Sequence, residues 1–104
     1  MGRSSMPVEN GGDIDLCLFV EPWCDDYWMK PGETLTLRSE AEGIDVWFHT
    51  SISKGCVTVW LYEDGDGRKL VLDHAVFDAG GNRLESGHQR PLDQRWSAAG
   101  PIID

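Results

Sequence analysis

No stretch of the 104-residue chain approaches the roughly 20 consecutive apolar residues that a membrane-spanning helix requires. The opening MGRSSMPVENGG also lacks the apolar middle region of a secretion signal. Both absences predict a cytoplasmic protein with no membrane partner. Basic residues are scarce: nine Lys and Arg stand against 18 Asp and Glu, a formal charge of -9. No basic patch interrupts the acidity, so a phosphate backbone is repelled and nucleic acid is excluded as a partner. Cysteine occurs three times, as Cys17, Cys24 and Cys56. An odd number without an export signal predicts reduced thiols in place of a disulfide framework. A helical stripe is missing as well; only LDQRWSAAG (92–100) suggests one helical turn.

What is present is period two. In DIDLCLFVE, Ile14, Leu16, Leu18 and Val20 share one face, and Cys17 and Phe19 lie on the other. Leu35, Leu37, Ser39 and Ala41 alternate with Thr34, Thr36, Arg38 and Glu40 after a Pro31-Gly32 turn. Residues 44–52 set Ile44, Val46, Phe48, Thr50 and Ile52 against Asp45, Trp47, His49 and Ser51. In 56–62, Val57, Val59 and Leu61 oppose Trp60 and Tyr62, which marks a central strand. Beyond the turn-forming EDGDG (63–67), residues 68–78 read as a fifth strand that puts Leu70, Leu72, His74 and Val76 on one face. DAGGNR (78–83) is a further hairpin turn, and Arg83 to Ser86 a short closing strand.

The expectation is therefore an all-β fold, a small antiparallel β-sandwich or partly open barrel of about six to seven strands. Residues 1–12 read as a flexible N-terminal arm, 13–91 as one β-sandwich domain and 92–104 as a C-terminal tail.

The densest chemistry lies in EPWCDDYWMKPGE (21–33), read as a loop between the first two strands. Loops on a rigid scaffold commonly carry function. Trp23, Asp25, Asp26, Tyr27 and Trp28 are the candidate binding residues, aromatic and acidic together. Exposed Trp and Tyr anchor interfaces, and an acidic surround selects a basic partner. The competing expectation is that Trp23 and Tyr27 fold back as a staple over one end of the core. The segment Glu21-Pro22-Trp23, Tyr27, Pro31-Gly32-Glu33 resembles the E-P-W-x-x-x-Y-x-x-x-P-G-E pattern of small uncharacterised bacterial all-β proteins, with Cys24 where that pattern has glycine. The resemblance implies a fold and assigns no catalytic residues. A looser similarity is to cupredoxin-like sandwiches, although the copper set of two His, one Cys and an axial ligand near the C-terminus is missing.

No zinc pattern appears, since neither a Cys-x-x-Cys knuckle nor a His-x-x-x-His pair is present. EDGDG lacks the distal Glu of a calcium loop and is read as a hairpin turn. His74 follows Asp73 directly, and adjacent strand residues point to opposite faces, so those two cannot form an orienting pair. His49, near Asp45, and His88 are free to meet a distant acid. No nucleophile elbow and no phosphate-cradling glycine loop occurs.

These readings predict no enzyme, no cofactor and no metal. They describe an acidic sandwich acting by protein–protein contact, on a partner with a basic surface or as a homodimer. Thr34 to Glu40 is the candidate unpaired edge for self-association. The alternative is a small-molecule or metal-binding sandwich that uses the 21–33 loop.

Overall fold

Ten strands organise the protein in a computed structural model that describes residues 4–91 and, for the backbone alone, 96–97 and 100–101. They are β1 (Ser5–Glu9), β2 (Leu16–Val20), β3 (Asp25–Met29), β4 (Thr34–Ser39), β5 (Val46–Ser53), β6 (Cys56–Glu63), β7 (His74–Phe77), β8 (Arg83–Leu84), β9 (Trp96–Ser97) and β10 (Gly100–Pro101). One four-stranded sheet runs β1-β4-β7-β8, a second runs β3-β2-β6-β5, and β9 pairs with β10 alone. Among the described residues there is no helix. The fold is an all-β sandwich.

Alternation explains the core. Leu18 and Val20 from β2, Leu35 and Leu37 from β4, Val57, Val59 and Leu61 from β6 and Val76 from β7 are buried between the sheets, with Tyr27 and Met29 from β3. At roughly 1.5–3 kcal/mol per buried large aliphatic side chain, this interior is the main stabilising element.

Four expectations are corrected by this topology. Residues 5–9 of the supposed arm are a strand, paired antiparallel with β4 from Ser5↔Arg38 to Glu9↔Thr34. Val8 and Met6 pack on the core from it, and that burial fixes the strand. The 21–33 segment is not a loop throughout, because 25–29 pairs with β2 from Leu16↔Met29 to Val20↔Asp25. These two additions make eight sandwich strands. β4 is flanked by both β1 and β7, so Thr34 to Glu40 presents no free edge. Nor is the second sheet wholly antiparallel, since β2 and β6 run parallel with Cys17 opposite Cys56.

The expected strand over 68–78 breaks in the middle. Val71 N–H donates to Leu61 O in the second sheet, whereas Asp73 O accepts from Glu40 N–H beside the first. The chain crosses between sheets there, which buries Val71 and leaves Leu70 and Leu72 exposed, the reverse of the expected parity. The helical turn expected in 92–100 lies mostly outside the described residues; 96–97 form an antiparallel pair with 100–101.

Candidate functional site

A cleft of about 560 Å³ lies beside the crossing at 71–73, lined by Trp23, Asp25, Tyr27, Glu40, Leu72, Asp73, His74, Arg83, Leu84, Glu85 and Ser86. Each wall follows from local structure. Asp25 and Tyr27 alternate along β3, Glu40 follows the end of β4, Asp73 and His74 enter β7, and Arg83 to Ser86 belong to β8 and its exit.

Trp23 forms the rim. Its indole N–H donates to Leu72 O at 3.2 Å, while 57% of the residue stays exposed. An indole pinned by its N–H and wet on its face is a surface on which a cation can rest. Tyr27, by contrast, is in the core, and burial pushes its phenol up to about 12.

Charge is unevenly matched in the cleft. His74 Nε2 lies 3.3 Å from Asp25 Oδ2, with the imidazole side chain 6% exposed. Arg83 Nη1 reaches Glu40 Oε1 at 3.5 Å, and Arg38 Nη2 reaches the same oxygen at 3.3 Å. The Arg38 guanidinium also lies 4.4 Å from the centre of the Phe77 ring. Asp73 and Glu85 are exposed and have no ion-pair partner among the described residues. The walls thus hold four carboxylates against Arg83 and, when protonated, His74.

A second cleft of about 430 Å³, near Gly32–Leu35 and Asp78–Gly80, differs in kind. Its carboxylates are already used. Glu33 accepts from Gln89 and from the Lys30 N–H, which together hold it below its ordinary range. Asp78 accepts from the Gly80 and Asn82 N–H groups and the Asn82 amide, with the same effect.

The five candidate binding residues therefore divide. Trp23 and Asp25 line the cleft, the first by its exposed ring and the second by a part-exposed carboxylate that faces His74, and Tyr27 lines it from the core. Asp26 and Trp28 point to the other face of β3 and are buried. Trp28 donates its indole N–H to Asp26 Oδ2 at 3.0 Å. Arg90 donates Nε to the same oxygen at 2.7 Å and Nη2 to Oδ1 at 2.5 Å. Burial works to raise the Asp26 carboxyl, yet the Arg90 and Trp28 hydrogen bonds and the Arg90 charge hold it below its usual value. These two residues clasp the chain; they do not offer it to a ligand. Of the two residues expected to staple the core, Tyr27 is buried in it and Trp23 stays 57% exposed.

Residues 40, 72–73, 83 and 85 escaped the sequence reading because only the sheet crossing and the β7–β8 pairing bring them to Trp23. His74 and Asp25 are 49 positions apart in the chain, and adjacency to Asp73 gave no hint of that partner. His49 packs edge-on against Tyr62, and Asp45 accepts the Trp47 indole N–H, so that histidine and that acid do not form a pair. Among the described residues no three His, Cys, Asp or Glu side chains converge as a set of metal ligands. The EDGDG segment is a turn, with Asp64 and Gly65 at φ 53 and 76 and Asp66 accepting from the Arg68 N–H.

No family model matches the chain, and no curated protein or solved structure does.

Proposed function

We propose that the protein is a non-enzymatic binding module whose cleft receives a basic side chain, lysine or arginine, from the positively charged surface of a partner protein. The observation that carries this reading is the Trp23 indole beside two carboxylates, Asp73 and Glu85, that have no ion-pair partner among the described residues, on one open cleft.

Magnitudes favour a protein over a lone small cation. A partly exposed cation–π contact contributes about 0.5–2 kcal/mol. Each exposed ion pair contributes about 0.2–1 kcal/mol. Two such pairs with one ring give about 1–4 kcal/mol, which is millimolar or weaker. Useful affinity then needs contacts outside the cleft, and a basic protein surface supplies them. The net charge of -9 steers that partner in and disfavours acidic ones. The open shape of the cleft also suits a protruding side chain better than an engulfed small molecule.

The test uses a lysine-rich peptide as probe, titrated by calorimetry at low and high salt. Trp23→Ala and the double change Asp73→Asn, Glu85→Gln each lower affinity roughly threefold to tenfold. The double change also flattens the salt dependence. Unchanged affinity in both variants, each folded as the wild type is, removes the proposal.

A further inference from the structure

The cleft leaves the cysteines unexplained. Cys17 of β2 and Cys56 of β6 are direct partners in the parallel ladder, so both side chains leave the second sheet on the same outer face. They sit next to one another there. The Cys56 side chain works to raise the Cys17 thiol, and the Cys17 side chain works to lower that of Cys56. Cys17 is 0% exposed and Cys56 is half-buried. One thiol is partly open to solvent, and the other is closed off from it.

We propose that Cys17 and Cys56 are a reversible modification site, oxidised to an intramolecular disulfide by a low-molecular-weight disulfide. Adjacent strands about 4.8 Å apart fall inside the Cα separation of about 4.4–6.8 Å that a disulfide spans. The Cβ atoms must draw in to about 3.8 Å, a small local movement. Cys56 is where that movement is easiest. It opens β6 directly after Gly55, whose φ of 74 belongs to the hairpin turn. The strain of bridging neighbouring strands keeps the bond easy to reduce.

The chemistry balances in two exchanges. The Cys56 thiolate attacks one sulfur of the small disulfide, forms a mixed disulfide and expels one small thiolate. The Cys17 thiol then loses its proton, attacks the Cys56 sulfur and expels the second. Two protein thiols are oxidised, one small disulfide is reduced to two thiols, and the protons end on those thiols. Burial raises both protein thiols above their ordinary range. Exchange is therefore slow at neutral pH and accelerates as pH rises.

Oxidised glutathione is the probe. Wild-type protein is incubated with it at neutral and alkaline pH, quenched in acid, alkylated and mapped by peptide mass spectrometry. The expected result is a Cys17–Cys56 linked peptide about 2 Da lighter than its reduced parts, with Cys24 alkylated. Dithiothreitol restores both thiols, Cys24→Ser leaves the link in place, and Cys56→Ser abolishes it. Glutathione held on Cys56 with Cys17 still reduced overturns the proposal, as does a link through Cys24. Mapping on the wild type decides the question even if Cys56→Ser does not fold.

Discussion

Asp26 shows how one carboxylate changes role with its surroundings. In the sequence it belongs to an acidic run with Asp25; in the fold it is 2% exposed and held by Arg90, Trp28 and Ser86. Its depressed carboxyl adds stability that is present above the unfolded value near about 3.9 and is lost as pH falls through the lower folded value. Asp26→Asn leaves Arg90 without its counter-charge and is expected to cost about 2–3 kcal/mol at neutral pH. The variant's melting temperature then falls less steeply than the wild type's below about pH 4, which thermal unfolding across an acid series measures. Cys24 makes a second residue-scale case. It stands at φ 55, a left-handed conformation that favours glycine. Its thiol contact with Glu21 Oε2, at 3.7 Å, is weak. Cys24→Gly is expected to stabilise by about 0.5–1 kcal/mol, read as a higher denaturation midpoint.

At the scale of elements, the ends of the domain are tied in by polar residues. Asn10 is buried between β1 and β2, where its amide donates to Ile14 O at 2.8 Å and Met29 O at 3.0 Å and its oxygen accepts from Gly12 N–H at 3.0 Å. Asn10→Ala removes the amide from the buried Met29 carbonyl and the part-buried Ile14 carbonyl and is expected to cost about 1–3 kcal/mol by chemical denaturation. At the other end, residues 86–90 lie along β3. His88 O accepts from Trp28 N–H, Gly87 N–H donates to Asp26 O, and the Gln89 amide donates to Trp28 O. Alternation was legible wherever a strand buries one face, as in β4 and β6, where Leu35, Leu37, Val57, Val59 and Leu61 are all on the core side. It was illegible where a strand buries both. In β3 the burial of Asp26, Tyr27, Trp28 and Met29 runs without alternation, and its acids and aromatics therefore looked like a loop. β1 was hidden for another reason: SMPVE is short and carries Pro7, which an edge strand tolerates because one side of its backbone needs no partner. The crossing at 71–73 left no periodic mark, since half of the segment answers to each sheet.

For the molecule as a whole, sandwich and site meet at one crossing. The chain changes sheets between Val71 and Asp73, and beside that crossing residues from β3, β7 and β8, with Glu40 just past β4, meet around Trp23. Trp23 and Asp25 could be singled out from the sequence as aromatic and acidic neighbours, but Glu40, Asp73 and Glu85 could not, because charge composition does not say which acids share a cavity. The acidic surface of net charge -9 makes long-range attraction general, and the cleft makes it local. The most direct measurement follows the indole and amide N–H resonances of isotope-labelled protein as the lysine-rich peptide is added at two salt concentrations. The account predicts that the Trp23 indole and the amides of Asp73, His74 and Glu85 shift first and furthest, with smaller shifts at high salt. Shifts confined to the distant Asp64–Arg68 turn and His49, or spread evenly over all exposed acids, would contradict it.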